Sequence, residues 1–167
     1  MLSWVNGAPG EQLSVRDRGL AYGDGLFETI AVRGGRIPLL ARHMARLAEG
    51  CRRLSIPLDL LLIEHELRTF AEQLGEGVAK LIVTRGEGQR GYVPPQPCQP
   101  LRILQAAPLP QYPAAHAEQG VRLFPCKTRL AEQPLLAGLK HLNRLEQVLA
   151  ARSDTPSLDA DAADPAP

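Results

Sequence analysis

Lysine is scarce in this chain of 167 residues: Lys80, Lys127 and Lys140 stand against sixteen arginines. Any chemistry that needs a side-chain amine therefore has three candidates. Cysteine is equally sparse, and Cys51, Cys98 and Cys126 are odd in number and lack CxxC spacing. That argues against a disulfide framework or a cysteine-based metal site, and it fits a reducing compartment. Neither sign of charge dominates, with 19 Lys plus Arg, 18 Asp plus Glu and a formal net charge of +1. Such a balance gives no electrostatic reason to expect nucleic acid or an anionic membrane as partner. No apolar run approaches the ~20 residues of a spanning helix. The greasiest stretch, Leu58 to Ile63, is broken by Asp59. No basic stretch followed by an apolar one opens the chain, so a cytoplasmic protein is expected. What is present is a 44% hydrophobic, 22% charged composition, that of a folded globular chain with room for one ordinary domain or two small ones.

Trp4 and Val5 ahead of Asn6-Gly7 predict a tight hairpin, because that dipeptide supplies positive φ. Gly25 to Val32 reads as a strand, with Phe27, Thr29 and Ala31 on one face and Leu26, Glu28, Ile30 and Val32 on the other. Glu28, alone on an apolar face, is expected at an edge or facing solvent, the alternative being a functional residue. Arg33-Gly34-Gly35-Arg36 turns the chain back. Leu40, Met44, Leu47, Cys51 and Leu54 then recur at helical spacing, from Pro38 in the first turn to the stop at Ile56-Pro57. Asp59 is placed to cap a second helix that turns Ile63, Leu67, Phe70 and Leu74 inward and ends at Gly75 and Gly77. Val78 to Thr84 and Leu101 to Ala107 are further strands, separated by a glycine-rich and then proline-rich connector. Strands joined by glycine turns predict an antiparallel sheet with two packed helices, an α+β domain over residues 1–107. Pro108, Pro110 and Pro113 mark a linker over 108–120. Residues 121–152 would begin a second domain, with a short strand at Val121 to Phe124 and a helix lined by Leu142, Leu145 and Leu149. Residues 153–167 are expected to be disordered, being acidic and rich in Ala and Pro.

Two segments look unlike plain scaffold. Asp17-Arg18-Gly19 with Tyr22-Gly23-Asp24-Gly25 could shape a loop beside a ligand, although a tight turn explains the same residues. Lys140, beside Gly138 and ahead of an apolar helix, is either a solvated surface lysine or an amine in a partly dry pocket, where desolvation makes it nucleophilic. Local sequence alone favours the first.

In order along the chain, Arg16-Asp17-Arg18-Gly19, Tyr22-Gly23-Asp24-Gly25-Leu26-Phe27-Glu28 and His43-Met44-Ala45-Arg46-Leu47 resemble the signature of the fold-type IV pyridoxal-phosphate enzymes. That family includes D-amino-acid and branched-chain aminotransferases and 4-amino-4-deoxychorismate lyase. Within it, residues 85–92 and the run Ala137 to Leu149 are most similar to the lyase. The resemblance implies a D-amino-acid aminotransferase-like fold and pyridoxal 5'-phosphate as cofactor. It implies that Lys140 binds the cofactor aldehyde and serves as the catalytic base, that Arg46 contacts the phosphate, and that complete members are homodimers. His43 is either a packed or capping residue or a direct ligand. Arg90 and Tyr92 are expected near the substrate carboxylates, the alternative being a plain surface loop. Lys140 is expected to face Arg46 across a cleft that neither Lys80 nor Lys127 lines. No metal is expected. The implied reaction converts 4-amino-4-deoxychorismate to 4-aminobenzoate and pyruvate for folate synthesis; the alternatives are an aminotransferase and a non-catalytic remnant. Family members continue past the lysine helix with a carboxylate for the pyridine nitrogen and half of the phosphate cup. Nothing after Ser153 matches either, so this chain alone is expected to hold cofactor weakly and turn over little.

Overall fold

In the computed structural model, which describes residues 1–121, 123 and 126–153, the chain opens as a hairpin. Strands β1 (Ser3–Val5) and β2 (Ala8–Pro9) flank Asn6 at φ 51° and Gly7 at φ 80°. Two consecutive positive φ values match the strand twist and explain the Asn-Gly pair. Helix α1 (Arg18–Tyr22) leads into β3 (Gly25–Val32), followed by α2 (Leu40–Leu54), α3 (Leu60–Leu74), β4 (Gly77–Thr84) and β5 (Leu101–Ala107). The sheet order is β2-β1-β5-β4-β3, antiparallel throughout, as the glycine-turned strands predict.

Alternation decides the layers. Leu26, Glu28, Ile30 and Val32 of β3 are all buried on the side that carries the helices, and Ala79, Leu81 and Val83 of β4 continue that face. Helix α2 meets them with Leu40, Met44, Leu47 and Cys51, and α3 with Ile63, Leu67, Phe70 and Ala71. Asp59 caps α3 by accepting from Leu62 N at 3.0 Å. Trp4 packs edge-on against Phe70, with ring centroids 5.4 Å apart, tying the hairpin to α3. On the opposite sheet face α1 meets the Thr84 end of β4, and Thr29, Ala31 and Lys80 lie open.

The chain divides into two compact units. The first comprises Met1–Gln111 and Leu136–Leu142. The sequence assigns residues 136–142 to a second domain beginning at 121; the structure instead returns them to the first unit. The reason is burial and pairing, since Leu139 sits in the core and residues 140–142 bond to β3. The second unit takes the described residues from Tyr112 to Leu135 and from Asn143 onward. It includes a helical turn, α4 (Ala115–Glu118), inside the expected linker, and α5 (Leu145–Ser153). On α5, Leu145, Val148 and Leu149 are exposed; Leu142, the other member of the expected leucine face, precedes the helix and is half-buried beside Gly25. Val121 and Leu123 lie in no strand; residues 122 and 124 of that expected element, and the tail over 154–167, fall outside the described residues.

Candidate functional site

Lys140 is held at the outer edge of β3. Phe27 N donates to Lys140 O at 2.9 Å, Leu142 N donates to Gly25 O at 3.0 Å, and Leu26 and His141 form an antiparallel bridge between them. Residues 140–142 thus extend the sheet by one short edge. Gly25 makes room for this: a Cβ there would come within 2.8 Å of Leu142 Cδ1 and 2.4 Å of Val83 O. On the entry side, Arg53 Nη1 donates to Ala137 O at 2.9 Å. The backbone around Lys140 is therefore fixed by main-chain bonds to β3 on one side and by the Arg53 guanidinium on the other. The ammonium lies 4.3 Å from the centroid of the Phe27 ring, within cation–π range. Lys80, which pairs with Thr29 across β3 and β4, places its ammonium 5.8 Å from the same centroid. Lys80 lies within strand β4, as expected, and β-pleat periodicity puts it on the Phe27 face.

One residue further along β3, on the helix side, Glu28 is 1% exposed and central to an ionic cluster. Arg46 Nε donates to Glu28 Oε1 at 2.7 Å, its Nη2 bonds to Oε2, and His43 Nδ1 lies 2.8 Å from Oε2. The expectation of a solvent-facing Glu28 is therefore overturned. A carboxylate can occupy this apolar face because α2 brings two basic side chains to it, three residues apart on one helix face. Burial resists ionisation of Glu28, but the hydrogen bonds from Arg46 and His43 outweigh it and hold the carboxyl below its ordinary range. The same bond raises Arg46 further above its ordinary value. His43 is packed against Glu28 as a carboxylate partner, its side chain 15% exposed. About half of the Arg46 side chain, 49%, remains exposed.

A second cluster surrounds Asp24. Arg18 Nε donates to Asp24 Oδ2 at 2.9 Å, and Arg85 donates to both Asp24 oxygens, at 2.8 and 3.0 Å. Burial opposes ionisation here too, and the bonds from Arg85 and Arg18 again leave the carboxyl lowered. Next to it, buried Asp17 caps α1 by accepting from Leu20 N and takes a bond from Thr84 Oγ1 at 2.6 Å. The Asp-Arg-Gly and Gly-Asp-Gly segments are thus a short capped helix and a charged turn. Arg90 and Tyr92 stand on the loop that follows; both are exposed, Tyr92 by 85%.

The structure brings Lys140 and Arg46 to neighbouring residues of one strand, Phe27 and Glu28, whose side chains leave it on opposite faces. Arg90 and Tyr92 are described at neither point. A cavity of about 1150 Å³ elsewhere in the first unit, lined among others by Asn6, Asp17, Asp59, Glu87 and Arg102, includes none of the four expected residues. Two residues were not identified from sequence: Phe27 as the platform for Lys140, and Glu28 as the anchor of Arg46. For Glu28 a signal existed, because a lone acid on an apolar strand face needs a cation, and His43 and Arg46 are the pair that the next helix can supply.

The sequence profile of the amino-transferase class IV family matches residues 25–153. The aminodeoxychorismate lyase of Vibrio harveyi is 37% identical over 149 residues, covering 88% of this chain and 55% of that relative. The crystal structure of 4-amino-4-deoxychorismate lyase from Pseudomonas aeruginosa is similar at a TM-score of 0.90 and 67% identity, covering 93% of this chain and 58% of that one. A hypothetical aminotransferase from Mycobacterium tuberculosis, in its PLP-bound form, is 25% identical at a TM-score of 0.56, covering 66% of this chain and 40% of that one. The chain thus spans just over half the length of the two lyases it matches.

Proposed function

The chain belongs to the class IV aminotransferase family, and from that premise we propose that it carries the lysine-bearing portion of a pyridoxal-phosphate-dependent lyase that converts 4-amino-4-deoxychorismate to 4-aminobenzoate and pyruvate. The observation that carries this reading is the seat of Lys140: a main-chain-fixed amine over an aromatic ring at a sheet edge. Likeness to the Pseudomonas aeruginosa lyase, at 67% identity, favours the lyase over a transaminase.

The residues present fit the cofactor. Lys140 offers the amine to its aldehyde. Arg46, oriented by Glu28, has donors left on its exposed side for a phosphate oxygen, a pairing that suits a guanidinium. When bound, the cofactor supplies an electron sink that acidifies the proton on the carbon bearing the substrate nitrogen. Lys140 Nζ takes that proton and returns one to the departing enolpyruvyl group, the double duty of a positioned base. Phe27 limits water on one side of that amine. Arg90 and Tyr92 receive the substrate carboxylates. The working form in this reading is a cytoplasmic homodimer, for which three cysteines without CxxC spacing are suited to a reducing compartment. Among the described residues no helix is long and apolar enough to cross a membrane.

The test is chemical. Protein mixed with pyridoxal phosphate should develop a yellow absorbance band that borohydride treatment removes, and Lys140→Ala should abolish it. Pyruvate release from aminodeoxychorismate without transamination of 2-oxoglutarate supports the lyase; transamination with no pyruvate release replaces it by the aminotransferase.

A further inference from the structure

We propose that Arg18 is a positioning residue for the loop that carries Arg90 and Tyr92, acting as a guanidinium clamp on that loop's main chain; the functional weight of the clamp rests on the reading of Arg90 and Tyr92 given above. Arg18 is 4% exposed, yet much of its donor capacity goes to a surface loop. Its Nη2 donates to Tyr92 O at 2.8 Å and its Nη1 to Gly91 O at 3.1 Å, with Val93 O at 3.5 Å. Only Nε is committed to Asp24. The guanidinium also lies 5.0 Å from the Tyr22 ring centroid, and that ring meets Tyr92 at 5.5 Å. The planar fork is thus held on one side by Asp24 and stacked on Tyr22, leaving its far edge to bind three successive carbonyls.

Two further features point the same way. The main chain before Arg18 is paired to the start of the loop: Arg18 N donates to Gly86 O at 2.9 Å, and Gly88 N donates to Arg16 O at 3.0 Å. Gly88 is the residue that lets the arginine stem pass, since a Cβ there would sit 2.9 Å from Arg18 Cδ. Arg85 provides an internal contrast. It binds the same Asp24 carboxylate, but its other bonds go to Leu54 O and Ser55 O at the end of α2 and to the Cys98 side chain, not to residues 90–93. If Arg18 served only to neutralise Asp24, the two arginines would be interchangeable in their effect on residues 90–93.

The experiment compares Arg18→Lys with Arg85→Lys in the 167-residue chain, each of which keeps a cation at Asp24 and loses the fork. Trypsin cleavage of the Arg90–Gly91 bond is followed by mass spectrometry, beside the thermal midpoint. Cleavage tracks how often the loop opens, so Arg18→Lys should accelerate it about tenfold while Arg85→Lys leaves it within about twofold. Arg90→Gln should remove the fragment and so identify the bond. In the low turnover measured with saturating pyridoxal phosphate, Arg18→Lys should raise KM with kcat held, the split expected when substrate positioning rather than chemistry is impaired. Cleavage in Arg18→Lys equal to the parent, or equally raised in Arg85→Lys, overturns the clamp. An Arg90→Ala variant with unchanged KM instead overturns the substrate role of the loop, while the cleavage ratio still decides the clamp.

Discussion

Two ion-paired carboxylates in the first unit are built alike and used differently. Asp24 and Glu28 lie four residues apart, each takes hydrogen bonds from two basic side chains, and each is held below its ordinary pKa by those bonds against the cost of burial. Around Asp24 both arginines are nearly enclosed, with side chains 5% and 9% exposed. Their remaining donors are directed at backbone carbonyls of the 91–93 loop and of the α2 terminus. Around Glu28 the arginine is half in solvent. The first cluster ties chain segments together; the second aims a cation outward. Burial of the cation, rather than of the acid, separates a structural ion pair from one that can serve a ligand.

Removing the acid should expose that difference most strongly. Asp24→Asn leaves two enclosed guanidinium groups sharing a neutral amide and should cost about 3–5 kcal/mol, the range for stranding a buried charge. Glu28→Gln should cost about 1–3 kcal/mol, because Arg46 can turn to water and only hydrogen-bond quality is lost. Urea unfolding of the two variants measures both, and equal losses would erase the contrast.

Acid should weaken both clusters. A carboxyl lowered by folding stabilises the native state fully above its ordinary value, here 3.8 for Asp24 and 4.5 for Glu28. That contribution is lost as pH falls through the lowered folded value. The parent protein should therefore lose stability steeply below about pH 4. Asp24→Asn and Glu28→Gln should each show a shallower acid limb when thermal midpoints are followed from neutral pH downward.

The smallest effects on stability should come from cations that water can reach. Arg46→Lys keeps the charge beside Glu28 but loses the fork. It should leave the thermal midpoint near that of the parent and weaken pyridoxal phosphate binding about tenfold, one charge-assisted hydrogen bond's worth. Arg52→Ala, which breaks a fully exposed pair with Glu49, should change neither measurement.

Most of the first unit was legible in the sequence because its signals are local. The α2 and α3 faces follow from residue spacing, the cap of α3 from Asp59, the first turn from Asn6-Gly7, and the β3 faces from strict alternation. The site was legible in part. Lys140, Arg46 and His43 could be named, but not what each touches, and Glu28 was given the wrong surroundings. Its exposure depends on which basic residues a helix fifteen or more positions away brings to that strand, and no local pattern records that. Lys80 was placed in its strand, but its ring neighbour, Phe27, belongs to another strand and was not legible for the same reason.

The boundary between units shows the division most plainly. By itself the sequence determined the elements, the turn chemistry and the one lysine in a family-like context, since each depends on φ preferences and hydrophobic period within a few residues. Only the tertiary structure decided that Leu136–Leu142 returns to the first unit, that Lys140 rests on Phe27, and that Arg18 reaches the loop 73 to 75 residues away. Those are long-range contacts, and which ones form is set by which edge, pocket or carbonyl remains unsatisfied once the sheet and its helices have packed.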